Sequence, residues 1–409
     1  MKKVNDVNQK LHPKDIGTFL LENESVDVSQ LLLRDKTILG FAASWVANQI
    51  LGRRKAKSKL PLWYSNINVE YPPLLNLEQC SSQATASLKF ELVKKELKHF
   101  SYAADLTGGF GVDTFFLCQL FKRFDYVEPN SNLLEMAMHN HKVLGQAEGI
   151  FYHQATAENF IAKAKQKYDL IFLDPSRRSA SNKKVFQLAD CTPDVSALLQ
   201  QLFECSNHIL IKSSPLLDLQ KRVQELKFAS KIFVVAVENE CKEVLFFCEK
   251  GFNGQPSIHA FNMKEKEEPS PAPFSFQQTE EKQADPEFSA PLNFLYEPHA
   301  AILKAGAFKL VATRLGLKKI HVNTHLYTSE NLLPDFPGRV FMTLALIKPQ
   351  PRELKQYFPD GMANILTRNY PLSVDQLRKN TKLKEGGEKF LIAFGGPKEK
   401  FHAVATRVS

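Results

Sequence analysis

Three short stretches place carboxylates where the chain turns sharply. In AADLTGGFGVDT, residues 103–114, an apolar run ends at Asp105, and Gly108, Gly109 and Gly111 follow at once. Glycines there let backbone approach a ligand closely, and the helix they open offers N–H groups at its start. In YVEPN, Glu128 ends the next apolar run, where an acid can hold a ribose diol. In YDLIFLDPSRR, residues 168–178, a strand delivers Asp174, Pro175, Ser176, Arg177 and Arg178 to one point. A surface turn is the plain reading of Asp-Pro-Ser. An acceptor-gripping site is the other.

The glycine pattern argues against a dinucleotide. In G-x-G-x-x-G register, Gly109 and Gly111 are followed by Thr114. An acid just ahead of the loop repels a pyrophosphate and attracts a cation. Two acids, a glycine loop and no phosphate clamp suit S-adenosylmethionine, a cationic nucleoside without phosphate.

Elements must bring these stretches together. From 102 onward short apolar runs alternate with amphipathic segments: YAADLTGG, RFDYVEPN, YDLIFLDP, HILIKSSP and KIFVVAVEN. Strands alternating with helices imply a parallel sheet with crossovers. KIFVVAVE (231–238) and EVLFFCEK (243–250) are separated only by NECK. A parallel pair needs a crossover of about a dozen residues, so these two form an antiparallel hairpin.

Residues 1–95 read as a helical region: DVSQLLLR starts with a capping Asp27, and apolar residues recur at helical spacing through TILGFAASWVANQIL. Residues 96–252 read as the α/β core. Residues 262–291 are rich in Pro, Glu, Lys and Ser and read as a linker or long loop. Two smaller regions follow, 292–345 and 346–409. In the last, KFLIAFGGPKEKFHAVATRV reads as a strand, a Gly-Gly-Pro turn and a second strand.

Composition limits the class. Over 409 residues, 44% are hydrophobic and 24% charged, the balance of a folded chain. A net charge of +9 permits a nucleic-acid partner without requiring one. The six cysteines form no C-x-x-C pair, so neither a metal site nor a disulfide framework is expected, which fits a reducing cytoplasm. The start of the chain shows no signal-peptide pattern, and no apolar run is long enough for a membrane span.

DLTGGFG, VEPN and LDPSRR resemble motifs I, II and IV of class I SAM-dependent methyltransferases, over about residues 100–250. The reversed last strand fits that Rossmann-like sheet. More closely, QILGRRKAKSKLP, EQCSSQATA, IKSSPLLD, NECKE and TRNYPLSVDQLRK resemble a bacterial family of THUMP-like-domain methyltransferases. That resemblance implies a helical N-terminal region, a methyltransferase core, a ferredoxin-like domain over 292–345 and a THUMP-like domain over 346–409.

Carried over by position, the resemblance puts Asp105, Gly108, Gly109 and Gly111 on the methionine side of S-adenosylmethionine. Glu128 holds the ribose hydroxyls, with Asn130 beside it. Thr156 stands where an adenine-binding acid is usual. Asp174 and Pro175 fit the acceptor motif of amino-methylating relatives, whereas Ser176 and Arg177 replace a proline and an aromatic ring. An arginine, Arg177 or Arg178, can stack on a base or grip a phosphate. Cys241 in NECKE offers a lesser route, nucleophilic attack on a pyrimidine carbon, against the plain reading of a structural cysteine.

Two basic stretches complete the expectations. GRRKAKSK carries Arg53, Arg54 and Lys55, either a solvated helix face or a phosphate-tracking patch. The tail sets Arg368, Tyr370, Arg378 and Lys379 together, basic beside aromatic, as RNA surfaces often do. The favoured expectation is an RNA methyltransferase acting on rRNA or tRNA at a base nitrogen. Two others stay open: a methyltransferase for a protein or small molecule, and a non-catalytic RNA-binding protein on a degenerate methyltransferase fold.

Overall fold

The computed structural model describes residues 13–34, 36–177, 190–215, 219–265 and 272–408. The chain forms two compact units; the first comprises Met1–Ser230 with Leu245–Asn253, and the hairpin Ala229–Glu249 contributes to both.

The first unit opens with short helices, then α1 (Ala43–Lys59) and α2 (Gln83–Glu96). Asp27 caps its helix as expected, its Oδ1 accepting from the Ser29 N–H at 3.0 Å. The helical reading of 37–51 needs correction at its start. Thr37–Ile38 and Phe41–Ala42 form a small antiparallel hairpin, and helix begins only at Ala43. Leu39 and Gly40 take φ of 49° and 83°, the two positive values of a type I′ turn.

Seven strands follow: β1 (Tyr102–Asp105), β2 (Arg123–Val127), β3 (Ile150–His153), β4 (Leu170–Leu173), β5 (His208–Ser213), β6 (Ala229–Val237) and β7 (Glu240–Glu249). Their order is β6-β7-β5-β4-β1-β2-β3, and β1 to β5 pair in parallel. Ala103, Ala104 and all four residues of β4 are buried, which is why these strands read as unbroken apolar runs. Between β6 and β7 the turn is Glu238–Asn239, at φ of 50° and 61°. That two-residue turn inserts β7 between β6 and β5. The hairpin is the one expected from the NECK spacing, and the reversed last strand on a parallel sheet is the arrangement that the resemblance implied.

Helices α3 (Val112–Leu117), α4 (Ser131–Val143) and α5 (Ala157–Lys163) follow β1, β2 and β3. Phe110, Val112 and Phe115 share one apolar cluster with Trp63, Tyr71 and Leu77. The N-terminal helices therefore pack directly on the glycine loop.

In the second unit, β8 (Ser257–Met263) pairs antiparallel with β9 (Phe274–Gln277). A helix, Gln278–Gln283, follows with a capping box between Gln277 and Glu280. The stretch 262–291, expected as a linker or long loop, thus holds a strand and a helix. Its Pro- and Glu-rich composition masks the alternation that buries Phe276.

A seven-stranded sheet completes the chain: β10 (Phe294–Pro298), β11 (Lys318–His321), β12 (Thr324–Ser329), β13 (Gly338–Leu346), β14 (Asn364–Arg368), β15 (Lys389–Gly395) and β16 (Lys400–Arg407). Its order is β11-β12-β10-β13-β16-β15-β14. β13 pairs with β10 on one side and β16 on the other, so the break placed at 345/346 falls inside a shared strand. Along β15, Leu391 and Ala393 join one apolar cluster, and Ile392 and Phe394 another. Both sheet faces are covered, which explains the continuous run FLIAF. Among the described residues no helix is long and apolar enough to cross a membrane, and no cluster of metal-ligating side chains occurs.

Candidate active site

The glycine loop is shaped from below. Gly109 and Gly111 take φ of 57° and 82°. A Cβ on Gly108 would stand 2.3 Å from the Tyr126 ring, and one on Gly111 2.7 Å from His141 Nε2. The Tyr126 hydroxyl donates to the Gly109 carbonyl at 2.6 Å. His141 Nε2 lies 2.9 Å from the Gly111 carbonyl, and Nδ1 lies 2.9 Å from the Tyr152 hydroxyl. Burial pushes His141 down to about 4, so its ring is neutral at pH 7. The carbonyl can only accept, so Nε2 carries the proton and Tyr152 donates to Nδ1.

The loop is not a phosphate cradle. The Gly108 N–H donates to Val127 O at 2.9 Å, Gly109 N–H to Glu128 Oε2 at 2.8 Å, and Gly111 N–H to Gly108 O at 2.9 Å. All three glycine N–H groups are already bonded, and 105–114 contains no lysine or arginine. The acidic groups bonded to the turn are the carboxyls of Asp105 and Glu128. That donor set fits a cationic nucleoside without phosphate and does not fit a dinucleotide.

Asp105 is buried. Its Oδ1 accepts from the Thr107 N–H at 2.9 Å and its Oδ2 from the Thr114 hydroxyl at 2.8 Å. Burial raises its carboxyl to about 7 against those two hydrogen bonds. Glu128 Oε1 accepts from the Asn130 N–H at 2.9 Å. Asn130 and Thr156 are the N-caps of α4 and α5. A capping oxygen aimed at a helix start sits at the strand tips where a nucleoside edge would lie.

The acceptor end is stitched to the loop by one threonine. The Asp174 N–H donates to Thr107 Oγ1 at 2.6 Å, and the same hydroxyl lies 3.3 Å from Asp105 Oδ1. Across the strand tips, Lys212 Nζ lies 2.5 Å from Asp174 Oδ2. The register explains the meeting: Leu173 of β4 pairs with Ile211 of β5, and each ionic residue is the next one along. A third of the Asp174 side chain remains exposed, against a tenth of Lys212.

Behind this pair stands Asp113, held by Lys89 Nζ at 3.2 Å and the Ser81 hydroxyl at 2.7 Å. Burial pushes the Asp113 carboxyl up, but Lys89, Lys212 and Ser81 outweigh it and hold it below the ordinary carboxylate range. The stretch EQCSSQATA thereby reaches the core through Ser81. The sequence signals Thr107 and Lys212 only by their strand-end positions in LTGG and IKSS, and it gives no signal for Lys89 and Asp113, which sit on helices α2 and α3.

Pro175 is half-buried, and Ser176–Arg177 pair with Cys191–Thr192 as a short extended ribbon. Arg178 lies outside the described residues. Cys241 is the second residue of β7, and burial pushes its thiol up to about 11, which leaves little thiolate at pH 7.

The basic residues divide. Arg53 is 3% exposed, stacks over Tyr64 and faces Glu24, and Arg54 donates to the carbonyls of Glu24 and Val26. Both serve the helical region rather than an open phosphate-tracking face, whereas Lys55 is exposed. Arg368 pairs with the buried Glu297, which also holds Arg339. Tyr370 bonds His402 at 2.7 Å. Arg378 pairs with Glu385 and Asp375, and Lys379 is exposed.

A family model described as a ferredoxin-like domain matches residues 294–337, and one described as THUMP domain-like matches 338–407. The crystal structure of a protein from Porphyromonas gingivalis W83, assigned as a methyltransferase, matches with a TM-score of 0.83 at 32% identity, covering 97% of this chain and 98% of that one. An rRNA methylase from Streptococcus thermophilus matches at 15% identity and a TM-score of 0.31, over 42% of this chain and 98% of its own. TrmK of M. capricolum, solved with S-adenosyl-homocysteine, matches at 12% identity and a TM-score of 0.31, over 44% and 71%. No curated protein sequence matches.

Proposed function

Because this chain belongs to the family of class I methyltransferases that carry ferredoxin-like and THUMP-like domains, we propose that it uses S-adenosylmethionine to methylate RNA, rRNA or tRNA, at a base nitrogen. The observation that carries the reading is the chain of contacts Asp105–Thr107–Asp174–Lys212, which joins the cofactor-side acid to the acceptor-side acid through one hydroxyl. When bound, the cofactor supplies an electrophilic methyl group on a sulfonium.

Asp105 and the glycine loop would hold the methionine end, Glu128 with Asn130 beside it the ribose, and Thr156 the adenine side. Asp174 is the residue that orients the acceptor. Thr107 fixes its backbone, so a small displacement of the loop moves both acids together. Positioning and exclusion of water then lower the barrier to in-line displacement. The THUMP-like segment and the exposed Lys55 and Lys379 support RNA as the partner.

A second reading, a protein or small-molecule acceptor, draws on the internal pairing of Arg53, Arg54 and Arg368. One experiment separates the two. Labelled cofactor is incubated with the full chain and total RNA, or with total protein. Label in RNA alone supports the RNA reading, and label in protein alone overturns it.

A further inference from the structure

The ion pair at the tips of β4 and β5 constrains the kind of nitrogen that can be methylated, given the RNA-methyltransferase reading on which this inference rests. An exocyclic amine attacks as a neutral group and gains positive charge. It is best served by a carboxylate whose charge is uncompensated. Here the Asp174 carboxylate is met by the Lys212 ammonium at 2.5 Å, and the two side chains are a third and a tenth exposed. Behind Lys212, Asp113 is likewise balanced by Lys89. Along this wall the signs alternate, Asp174, Lys212, Asp113, Lys89, so the carboxylate that faces the acceptor is offset by an ammonium at its side.

The same pair suits the opposite case. A ring N–H beside a carbonyl must lose its proton as it attacks, and the negative charge spreads onto the carbonyl oxygen. Such an edge carries one donor next to one acceptor. A carboxylate beside an ammonium presents the complementary acceptor and donor on adjacent strand tips. Charge-assisted hydrogen bonds of this kind are the strong ones, and a donor preplaced at the atom where charge develops is a large catalytic term.

We propose that the acceptor is a lactam or imide N–H, the guanine N1–H beside C6=O or the uracil N3–H beside C4=O, with Asp174 taking the proton and the Lys212 ammonium bonding the carbonyl oxygen. The nitrogen gives its electron pair to the methyl carbon as its proton passes to Asp174. The sulfur–methyl bond breaks with its electrons going to sulfur, which leaves as a neutral thioether. Lys212 stays protonated throughout.

The test has two arms. In the first, total RNA from cells lacking this protein is incubated with the full chain and labelled cofactor, then digested to nucleosides for mass spectrometry. Label in 1-methylguanosine or 3-methyluridine is expected, and which of the two appears identifies the base. Label in an amino-methylated adenosine or cytidine, or on a ribose hydroxyl, overturns the proposal and leaves the RNA reading standing. Label in no RNA overturns both.

The second arm needs no cofactor. Oligomers of uridine and inosine, which carry the imide and lactam edges, compete against oligomers of cytidine and adenosine for the wild-type chain. A preference for the first two is expected, abolished in Lys212→Met and retained in part in Lys212→Arg. On the RNA of the first arm, Lys212→Met should slow methylation by about 100-fold or more, with Lys212→Arg slowed less. Unchanged melting of both variants shows that folding is not the cause. Equal preference in wild type and Lys212→Met assigns Lys212 to structure alone and overturns its role.

Discussion

Lys212 and Asp174 each stand one residue past a paired position of two adjacent parallel strands, Ile211 opposite Leu173, and their side chains close that gap at 2.5 Å. The contact is a property of register. Slipping β5 by one residue would turn Lys212 to the other face of the sheet. The backbone N–H of Asp174 is bonded to Thr107, so the carboxylate is held from the loop side and from the strand side at once.

That double hold makes Asp174 a sharp test. Asp174→Asn keeps the shape and the Thr107 contact but removes the charge that faces the acceptor. Cofactor affinity should stay within a few-fold of wild type. Single-turnover methylation should fall by about 10- to 1000-fold, or about 1.4–4 kcal/mol at 1.36 kcal/mol per decade. A loss confined to KM, with kcat intact, would mean that Asp174 acts in binding alone.

The glycine loop predicts an order of damage. Gly109→Ala meets only the Thr107 carbonyl, at 3.7 Å, and its cost is the strain of φ +57°, about 1–2 kcal/mol. Gly108→Ala drives a methyl into the Tyr126 ring, and Gly111→Ala combines φ +82° with contact on His141. Overpacking adds about 1–3 kcal/mol. Thermal unfolding should therefore rank Gly109→Ala as the mildest. If all three melt alike, the rings beneath the loop yield freely and the loop is not preshaped.

Asp105 predicts how cofactor affinity depends on pH. Its buried carboxyl sits at about 7, so it is protonated below that pH and charged above it. A cation binds the charged form. Affinity should be full above pH 7 and weaken by about tenfold for each unit below it. Asp105→Asn should be weaker at high pH and flat across the same range. Calorimetry near pH 6 should register proton release on binding in the wild type and none in the variant. Equal proton release in both would remove Asp105 from the cofactor site.

Much of the core was legible because it depends on local pattern. The NECK spacing forces a hairpin, and the glycines with Asp105 and Glu128 mark two consecutive strand tips. What stayed hidden depends on pairing across the sheet or between distant segments. Lys212 was visible in IKSS, but its partner follows from the β4–β5 register. Tyr126 and His141 carry no signal of their own in the sequence, and their place beneath the loop needed α4 to be set on β2. Arg53 read as a surface cation because its helix is strongly basic, yet Glu24 and Tyr64 fold over it. Arg368 read as an RNA contact because its neighbours are basic, whereas its partner Glu297 lies on a strand far away in sequence.

Arg368 and Lys379 supply the last prediction, because the structure gives two residues of the same expected role opposite surroundings. Truncation at 346 does not test the tail, since it removes β16 from the side of β13 and opens the sheet. Point changes do. Arg368→Ala removes one of two guanidinium groups from buried Glu297 and should cost about 1.5–3 kcal/mol of stability, the range for a hydrogen bond to a charged group. Lys379→Ala and Lys384→Ala change exposed side chains and should stay within about 0.5 kcal/mol. RNA binding should show the reverse. Each lysine that contacts a phosphate releases counterions, so its loss should flatten the log–log salt dependence by about 0.7 on single strands. Arg368→Ala, measured where it is fully folded, should leave the slope unchanged, because its charge is already spent on Glu297. If Arg368→Ala flattens the slope and the two lysine variants do not, the guanidinium leaves Glu297 for the phosphate, and the RNA surface runs along the end of β14 rather than along the helix Val374–Thr381.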